Sequence, residues 1–250
     1  MTQNFTIDTQ LQHRTIREFA PVKVTPAQLE TLLQVARHTS TSMFMQQFTI
    51  LQITDNQKKA AIRKISTQDY VGGNGELLIF VVDLYRNQQI RKQMQADDGR
   101  LHQTDVFIQG VEDTVLAVQN VVNAAESMQL GAVILGSIVN DAQKMIELLG
   151  LPQMTFPLLG LQVGQPAQKP QLKPRLPLPF TLFENTYQTA FDIHALAPYD
   201  EVVQTYYDLR DTNRRIDSFT KQVASAKMDQ RDTKRNQILE ILHKQQLCLA

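Results

Sequence analysis

The segment ELLIFVVDLY at 76–85 is the strongest constraint on how this chain can fold. Its apolar residues do not alternate with polar ones, so a strand here needs cover on both faces. It has the length of a strand and falls well short of the ~20 apolar residues of a membrane helix. The neighbouring sequence supplies further strands. FTILQIT (48–54) alternates as a half-buried strand does, and AVILG (132–136) and FPLLGLQVG (156–164) read as two more. Helical patterns fall between them. Thr25 reads as an N-cap, with Pro26 at the first helical position and Gln28 closing a capping box. Leu29, Leu32, Leu33 and Ala36 then form one apolar face. A second helix is expected over 56–65. A long one is expected over 107–129, where Val111, Val115, Val118, Val122 and Ala125 keep helical spacing. Gly131 reads as its C-terminal stop, and Asn140 as the cap of a further helix ending at LLGLP. This alternation gives an α/β or α+β chain with a mostly buried sheet flanked by helices.

The 250 residues, 42% hydrophobic and 20% charged, are enough for a compact core and exclude a disordered chain. The expectation is one domain over 1–250. Five of the ten prolines stand at 166, 170, 174, 177 and 179, so a stiff extended excursion is expected over 165–180. Beyond it, 199–210 and 229–245 read as helices of a basic C-terminal extension over 199–250. Cys248 is the single cysteine, which excludes an internal disulfide and suits a reducing cytoplasm. The opening MTQNFTIDTQL has no basic stretch followed by an apolar run, so no signal peptide is expected.

Several chemistries are excluded. VGGNGELL lacks the third glycine of a dinucleotide fingerprint and precedes a strand instead of following one. No phosphate-binding GxxxxGK[ST] loop occurs, and LGSIV lacks the second glycine of a nucleophile elbow. The five histidines make no metal-ligand spacing, so no metal is assigned. Asp97–Asp98 in ADDGR reads as a turn. The formal charge is zero, but Arg210–Arg235 holds eight basic and four acidic residues, leaving the remainder at −4. That basic run holds a single aromatic, Phe219, and no interleaved series of them, which argues against nucleic acid.

Three separated elements remain with the chemistry to grip one phosphorylated ligand. HRTIREF (13–19) gathers His13, Arg14, Thr15 and Arg17, and guanidinium forks match phosphate oxygens in pairs. A hydroxyl-rich loop follows the first capped helix, with Ser40 and Ser42, and with Gln46 close behind. In LKPR, Pro174 favours extended geometry, which points Lys173 and Arg175 the same way.

These elements, with Gln68, PLLGLQVGQP and LKPRLP, resemble the FMN-dependent nitroreductase superfamily, in its NADPH-dependent branch. The resemblance runs from about residue 7 to ILHKQ (241–245). It implies an α+β fold, an α/β/α sandwich with a mixed, mostly antiparallel sheet, and an intertwined homodimer. It implies FMN as cofactor and NADPH as co-substrate. His13, Arg14 and Thr15 would then hold the FMN phosphate, with Lys173 and Arg175 joining them; the family usually has serine at the place of Thr15. Arg17 would reach the pyrimidine edge of the flavin and Gln68 would hydrogen-bond the ring. These two are the candidate catalytic residues. Leu135, Gly136 and Ser137 would pass their backbone beside the ring, and Ser40 and Ser42 would touch it from the partner subunit. Arg210, Arg214 and Arg215, assisted by Arg235, would hold NADPH. The implied activity is ping-pong hydride transfer from NADPH to nitroaromatics, quinones, azo compounds or free flavin. The alternative is a non-enzymatic flavin- or anion-binding protein.

Overall fold

A computed structural model of the chain describes residues 2–206, 217–226 and 228–250. Its contacts divide into two units, one of residues up to Gln168 together with Asp232–Ala250, the other of Lys169–Arg231. The first unit carries the sheet. Its strands are β1 (Phe48–Ile53), β2 (Glu76–Asp83), β3 (Gly131–Leu135) and β4 (Thr155–Gly164). They lie in the order β1-β2-β4-β3, and every pairing is antiparallel.

The continuous apolar run of β2 is explained by what covers it. Leu77, Ile79 and Val81 join one core with α3 (Asn56–Ser66), α6 (Ala142–Leu149) and α9 (Ile238–Lys244). Leu78 and Phe80 join a second core with α2 (Pro26–Arg37) and α5 (Thr104–Ser127). All five are essentially fully buried. At roughly 1.5–3 kcal/mol for each large apolar side chain, this one strand anchors both layers. β4 carries Pro157, and the register against β2 shifts by one residue there, between Phe80 and Val81. β3 pairs with β4 only over Gly160–Gly164, so the missing N–H of Pro157 breaks no ladder on that side.

The local signals are met with a few shifts. Thr25 accepts from the Gln28 N–H at 3.2 Å and the Gln28 side chain accepts from the Thr25 N–H, a complete capping box at the start of α2. α5 ends at Ser127, four residues before Gly131, and Gln129 just beyond it takes φ 61°. Gly131 is instead the first residue of β3, and it is small because of packing: a Cβ there would lie 2.6 Å from Ile16. α6 is capped by Asp141, which accepts from the Lys144 N–H at 3.2 Å, and not by Asn140. The glycines of VGGNGELL serve the entry to β2. Gly75 has φ 88°, and a Cβ on it would lie 2.6 Å from the Val163 carbonyl oxygen.

The remaining elements are short. α1 (Phe5–Leu11) precedes the HRTIREF segment, and α4 (Tyr85–Gln93) follows β2. In the second unit, the proline-rich stretch forms neither helix nor strand apart from a turn of 3-10 helix at Leu178–Phe180. α7 (Ala197–Gln204) and α8 (Phe219–Val223) follow, with the rings of Tyr199 and Phe219 edge to face at 5.5 Å. The helix expected over 229–245 is confined to α9 and a 3-10 turn at Lys234–Gln237.

Because Gly131 lets Ile16 press against β3, Gly131→Ala forces one of the two aside. The substitution is expected to cost ~1–3 kcal/mol and to lower the thermal midpoint by several degrees. An unchanged midpoint would show that the contact is not tight.

Candidate functional site

HRTIREF leaves α1 extended and is fixed by backbone pairing at both ends. Thr15 forms a parallel bridge with Ala132 of β3, and the Ile16 N–H donates to the Ala132 carbonyl at 3.0 Å. Phe19 bridges Pro166, and the Ala20 N–H donates to the Gln165 carbonyl at 2.9 Å. Ile16 and Phe19 are buried, which leaves the polar residues of the segment on its open side.

Each of those polar residues is held differently. His13 Nδ1 lies 2.6 Å from Glu126 Oε1 on α5. A carboxylate accepts, so Nδ1 carries the proton and Nε2 is the ring's other face. The Arg14 guanidinium donates to the Gln12 carbonyl at 2.8 Å and lies on a groove of about 470 Å³ shared with Asp8, Ile16, Glu126 and Gly131. The Arg17 N–H donates to Gln168 Oε1 at 2.9 Å. Its guanidinium Nε is buried and has no hydrogen-bond partner among the described residues. A buried donor left unpaired costs about 1–3 kcal/mol, a cost that an acceptor on a bound ligand would remove.

A second group forms where β3 ends. Leu135 is buried and Gly136 is exposed at the start of a 3-10 turn, Gly136–Asp141, which also holds Ser137. A Cβ on Gly136 would meet nothing within 4 Å, so nothing inside the chain requires glycine here. Asn140 Nδ2 donates to the Ser66 carbonyl at 3.1 Å, and the Gln68 N–H donates to Ser66 Oγ at 3.3 Å, which joins the half-buried Gln68 to this turn. Arg235 reaches the same turn, donating to Asn140 Oδ1 at 3.1 Å and to the Gly136 carbonyl at 3.3 Å. Beside it, Lys234 pairs with Asp141. Burial pushes the Asp141 carboxyl up, but the hydrogen bonds from Lys234 and the Lys144 N–H, with both lysine charges, hold it below its ordinary value.

The hydroxyl-rich loop sits elsewhere. Ser40 and Gln46 are exposed and Ser42 is half-buried. The Ser42 N–H donates to Asp113 Oδ1 at 2.7 Å, and Asp113 lies in the middle of α5. Asp113 and Glu126 are thirteen residues apart on that helix, or roughly 20 Å at 1.5 Å per residue. One subunit therefore does not bring the serine loop to its own His13.

Lys173 and Arg175 belong to the second unit. The Arg175 guanidinium turns back on its own segment, donating to the Lys173 carbonyl at 3.0 Å and the Pro174 carbonyl at 3.4 Å. Burial pushes the Tyr199 hydroxyl up, and the Arg175 charge opposes that shift. Arg210, Arg214 and Arg215 lie outside the described residues. Among the described residues no helix is long and apolar enough to cross a membrane, and no three His, Cys, Asp or Glu side chains gather to hold a metal.

Sequence reasoning missed Glu126, Asp113 and Gln168. Asp113 had a visible signal: it is a carboxylate inside the apolar stripe of α5, where Gly110, Thr114, Ala117, Val122 and Ala125 are buried, whereas Glu126 is half-buried beside that stripe. Gln168 had none. Taken together, an unpaired buried guanidinium nitrogen, a carboxylate-held imidazole and an open, Cβ-free strand end fit a flat ligand that carries a phosphate.

The sequence and the fold are similar to those of known proteins. Residues 11–165 match the description "Nitroreductase family", and residues 173–250 match "Nitroreductase family, C-terminal domain". The oxygen-insensitive NADPH nitroreductase of Salmonella typhimurium is 39% identical over 241 residues, 96% of this chain and 97% of that protein. The FMN reductase (NADPH) of Bacillus subtilis is 37% identical over 224 residues, covering 88% and 90%. The crystal structure of nitroreductase A from Vibrio parahaemolyticus superposes with a TM-score of 0.88 at 36% identity over all of both chains.

The lowered Asp141 carboxyl sets a pH test. A depressed folded-state value means that its stabilisation is present at neutral pH and is lost as the pH falls through that value. Asp141→Asn should lower the thermal midpoint at pH 7, and the gap to the wild type should close on acidification. A gap that stays constant with pH would contradict the ion pair.

Proposed function

Because the chain belongs to the nitroreductase family, we propose that it is an FMN-dependent oxidoreductase that takes hydride from NADPH. It passes the electrons to a flat electron-poor acceptor: a nitroaromatic, a quinone, an azo compound or free flavin. The observation that carries this reading is the buried, unpartnered Nε of Arg17 within the HRTIR motif. The non-enzymatic alternative is not favoured, since the relatives are named as reductases.

FMN, when bound, supplies two-electron chemistry, and the protein supplies position and charge. His13, presented by Glu126, holds the phosphate together with Arg14 and Thr15. Lys173 and Arg175 are further phosphate ligands on the strength of the LKPRLP motif. Arg17 sets a fixed positive charge at the pyrimidine edge, which favours the electron-rich form of the ring over the electron-poor one. Gln68 hydrogen-bonds the ring from beside the Gly136 turn. Gly136, with no Cβ, lets a flat ring lie against the Leu135–Ser137 backbone. Arg210, Arg214 and Arg215 hold the phosphates of NADPH, and Arg235 stands by on the turn. Donor and acceptor use the same open face in succession, a ping-pong order.

The working unit in this reading is a homodimer in which Ser40, Ser42 and Gln46 of one subunit serve the flavin of the other. Its support is apolar surface. Ile108, Val115 and Leu116 share one exposed face of α5, and Met43, Phe44 and Met45 stand out from the serine loop. Surface of this kind marks an interface. The lone Cys248 and the use of NADPH suit the cytoplasm.

Purified protein should be yellow, bleach with NADPH and recover its colour with a nitroaromatic; colourless protein that retains no added FMN would overturn the reading. Arg17→Ala should slow flavin reduction more than it weakens FMN binding, read by stopped-flow absorbance. Unchanged turnover would remove Arg17 from the role. The double substitution Arg214→Ala, Arg215→Ala should raise KM for NADPH by about tenfold, about one lost charge-assisted hydrogen bond, and much less for NADH. Equal effects on the two would count against recognition of the 2′-phosphate.

A further inference from the structure

We propose that Asp113 is a positioning residue for the flavin site of the partner subunit. The proposal rests on the reading that the serine loop serves that flavin. Asp113 is 1% exposed, in the interior of the longest helix. Its two oxygens divide between the two ends of the loop: Oδ1 accepts from the Ser42 N–H at 2.7 Å, and Oδ2 from the Gln47 N–H at 3.0 Å. A buried carboxylate is costly unless it is hydrogen-bonded. Here it is bonded to backbone, so what it fixes is the path of residues 42–47.

That path needs fixing. Met43, Phe44 and Gln46 take φ values of 49°, 63° and 51°, left-handed conformations without glycine. Strain of this kind persists where the surroundings over-determine it, and it gathers at functional sites. Further ties hold the outer side of the loop. Asn87 Nδ2 donates to the Met45 carbonyl at 3.1 Å, the Arg86 guanidinium donates to the Gln46 carbonyl, and the Gln46 N–H donates to Thr41 Oγ1 at 3.3 Å. Below the loop, the Asp83 N–H donates to the Gln47 carbonyl at 3.0 Å, joining it to the end of β2. Among the described residues the hydroxyls of Ser40 and Ser42 have no partner, so the ties leave both available. Met43 and Phe44, at 67% and 82% exposed, are pushed outward. Asp113 thus spends both oxygens on presenting a strained, apolar-tipped, hydroxyl-bearing loop away from its own chain. Asp113 and Glu126 are roughly 20 Å apart along α5, so the loop stands clear of its own chain's His13, and on this reading it serves a second copy.

The test is complementation in mixed dimers. Asp113→Asn keeps the shape but turns an NH2 toward one of the two N–H donors. The D113N homodimer should release FMN about tenfold faster, one lost charge-assisted hydrogen bond, and Asn87→Ala should act in the same direction more weakly without touching the core. The R14A homodimer should also bind FMN weakly. Dimers with one D113N chain and one R14A chain, separated by two affinity tags, should regain one tightly held FMN per dimer. In them one site has an intact HRTIR motif and an intact loop, and the other has neither; general destabilisation would not restore a site. If S42A speeds FMN release but D113N does not, Asp113 has no positioning role and the loop reading stands. If neither does, the loop does not reach the flavin and both fall. Mixed dimers without a recovered site would place the loop in its own subunit's site and overturn the cross-subunit assignment.

Discussion

Burial of β2 on both faces is the constraint on which everything else is built. A strand that is apolar on both faces must be central, and it must have a helical layer above and below. The layer holding α2 and α5 and the layer holding α3, α6 and α9 follow from it. So does the position of β4, which lies against β2 and carries β3 on its far side. The functional segments are then added at the far side and the ends of this sheet. HRTIREF lies against β3, the Gly136 turn continues from β3, and the serine loop leads into β1.

α5 does two jobs at once. Its buried stripe of small and β-branched residues fills one core; Asp113 interrupts that stripe and Glu126 stands half-buried beside it. Glu126 orients His13, and Asp113 clamps the serine loop. One rigid rod therefore holds both the His13 segment and the serine loop, roughly 20 Å apart along its length. Rigidity is the useful property here. A site held within a fraction of an ångström by secondary structure needs less ordering when the ligand arrives. The cost is visible in Arg17 Nε and Glu126 Oε2, which are buried with no hydrogen-bond partner among the described residues.

Much of the fold was legible because its signals are local. Thr25 and Gln28 close their box through side-chain reach over one turn, and the apolar run of β2 announces its own burial. The misreadings share a cause. Gly131 looked like a helix stop, but it is a contact glycine whose neighbour Ile16 lies more than a hundred residues away in sequence. Asn140 and Asp141 are both good caps, and only the tertiary use of Asn140 by Ser66 and Arg235 decides between them. The helix expected from 229 begins at Ile238, after Lys234 and Arg235 have been drawn to the Gly136 turn. HRTIR was legible as a segment with its own chemistry. The residues that touch it and the serine loop, Glu126, Gln168 and Asp113, were not singled out, because their partners are set by the fold and not by spacing.

In the proposed holoenzyme the cationic and imidazole groups of HRTIR hold a flavin through its phosphate. The most direct measurement compares FMN with riboflavin, which carries the same ring without the phosphate, by calorimetric titration of the flavin-free protein. Two or more charge-assisted contacts to the phosphate predict that FMN binds at least about a hundredfold more tightly. Equal affinities for the two would contradict the account.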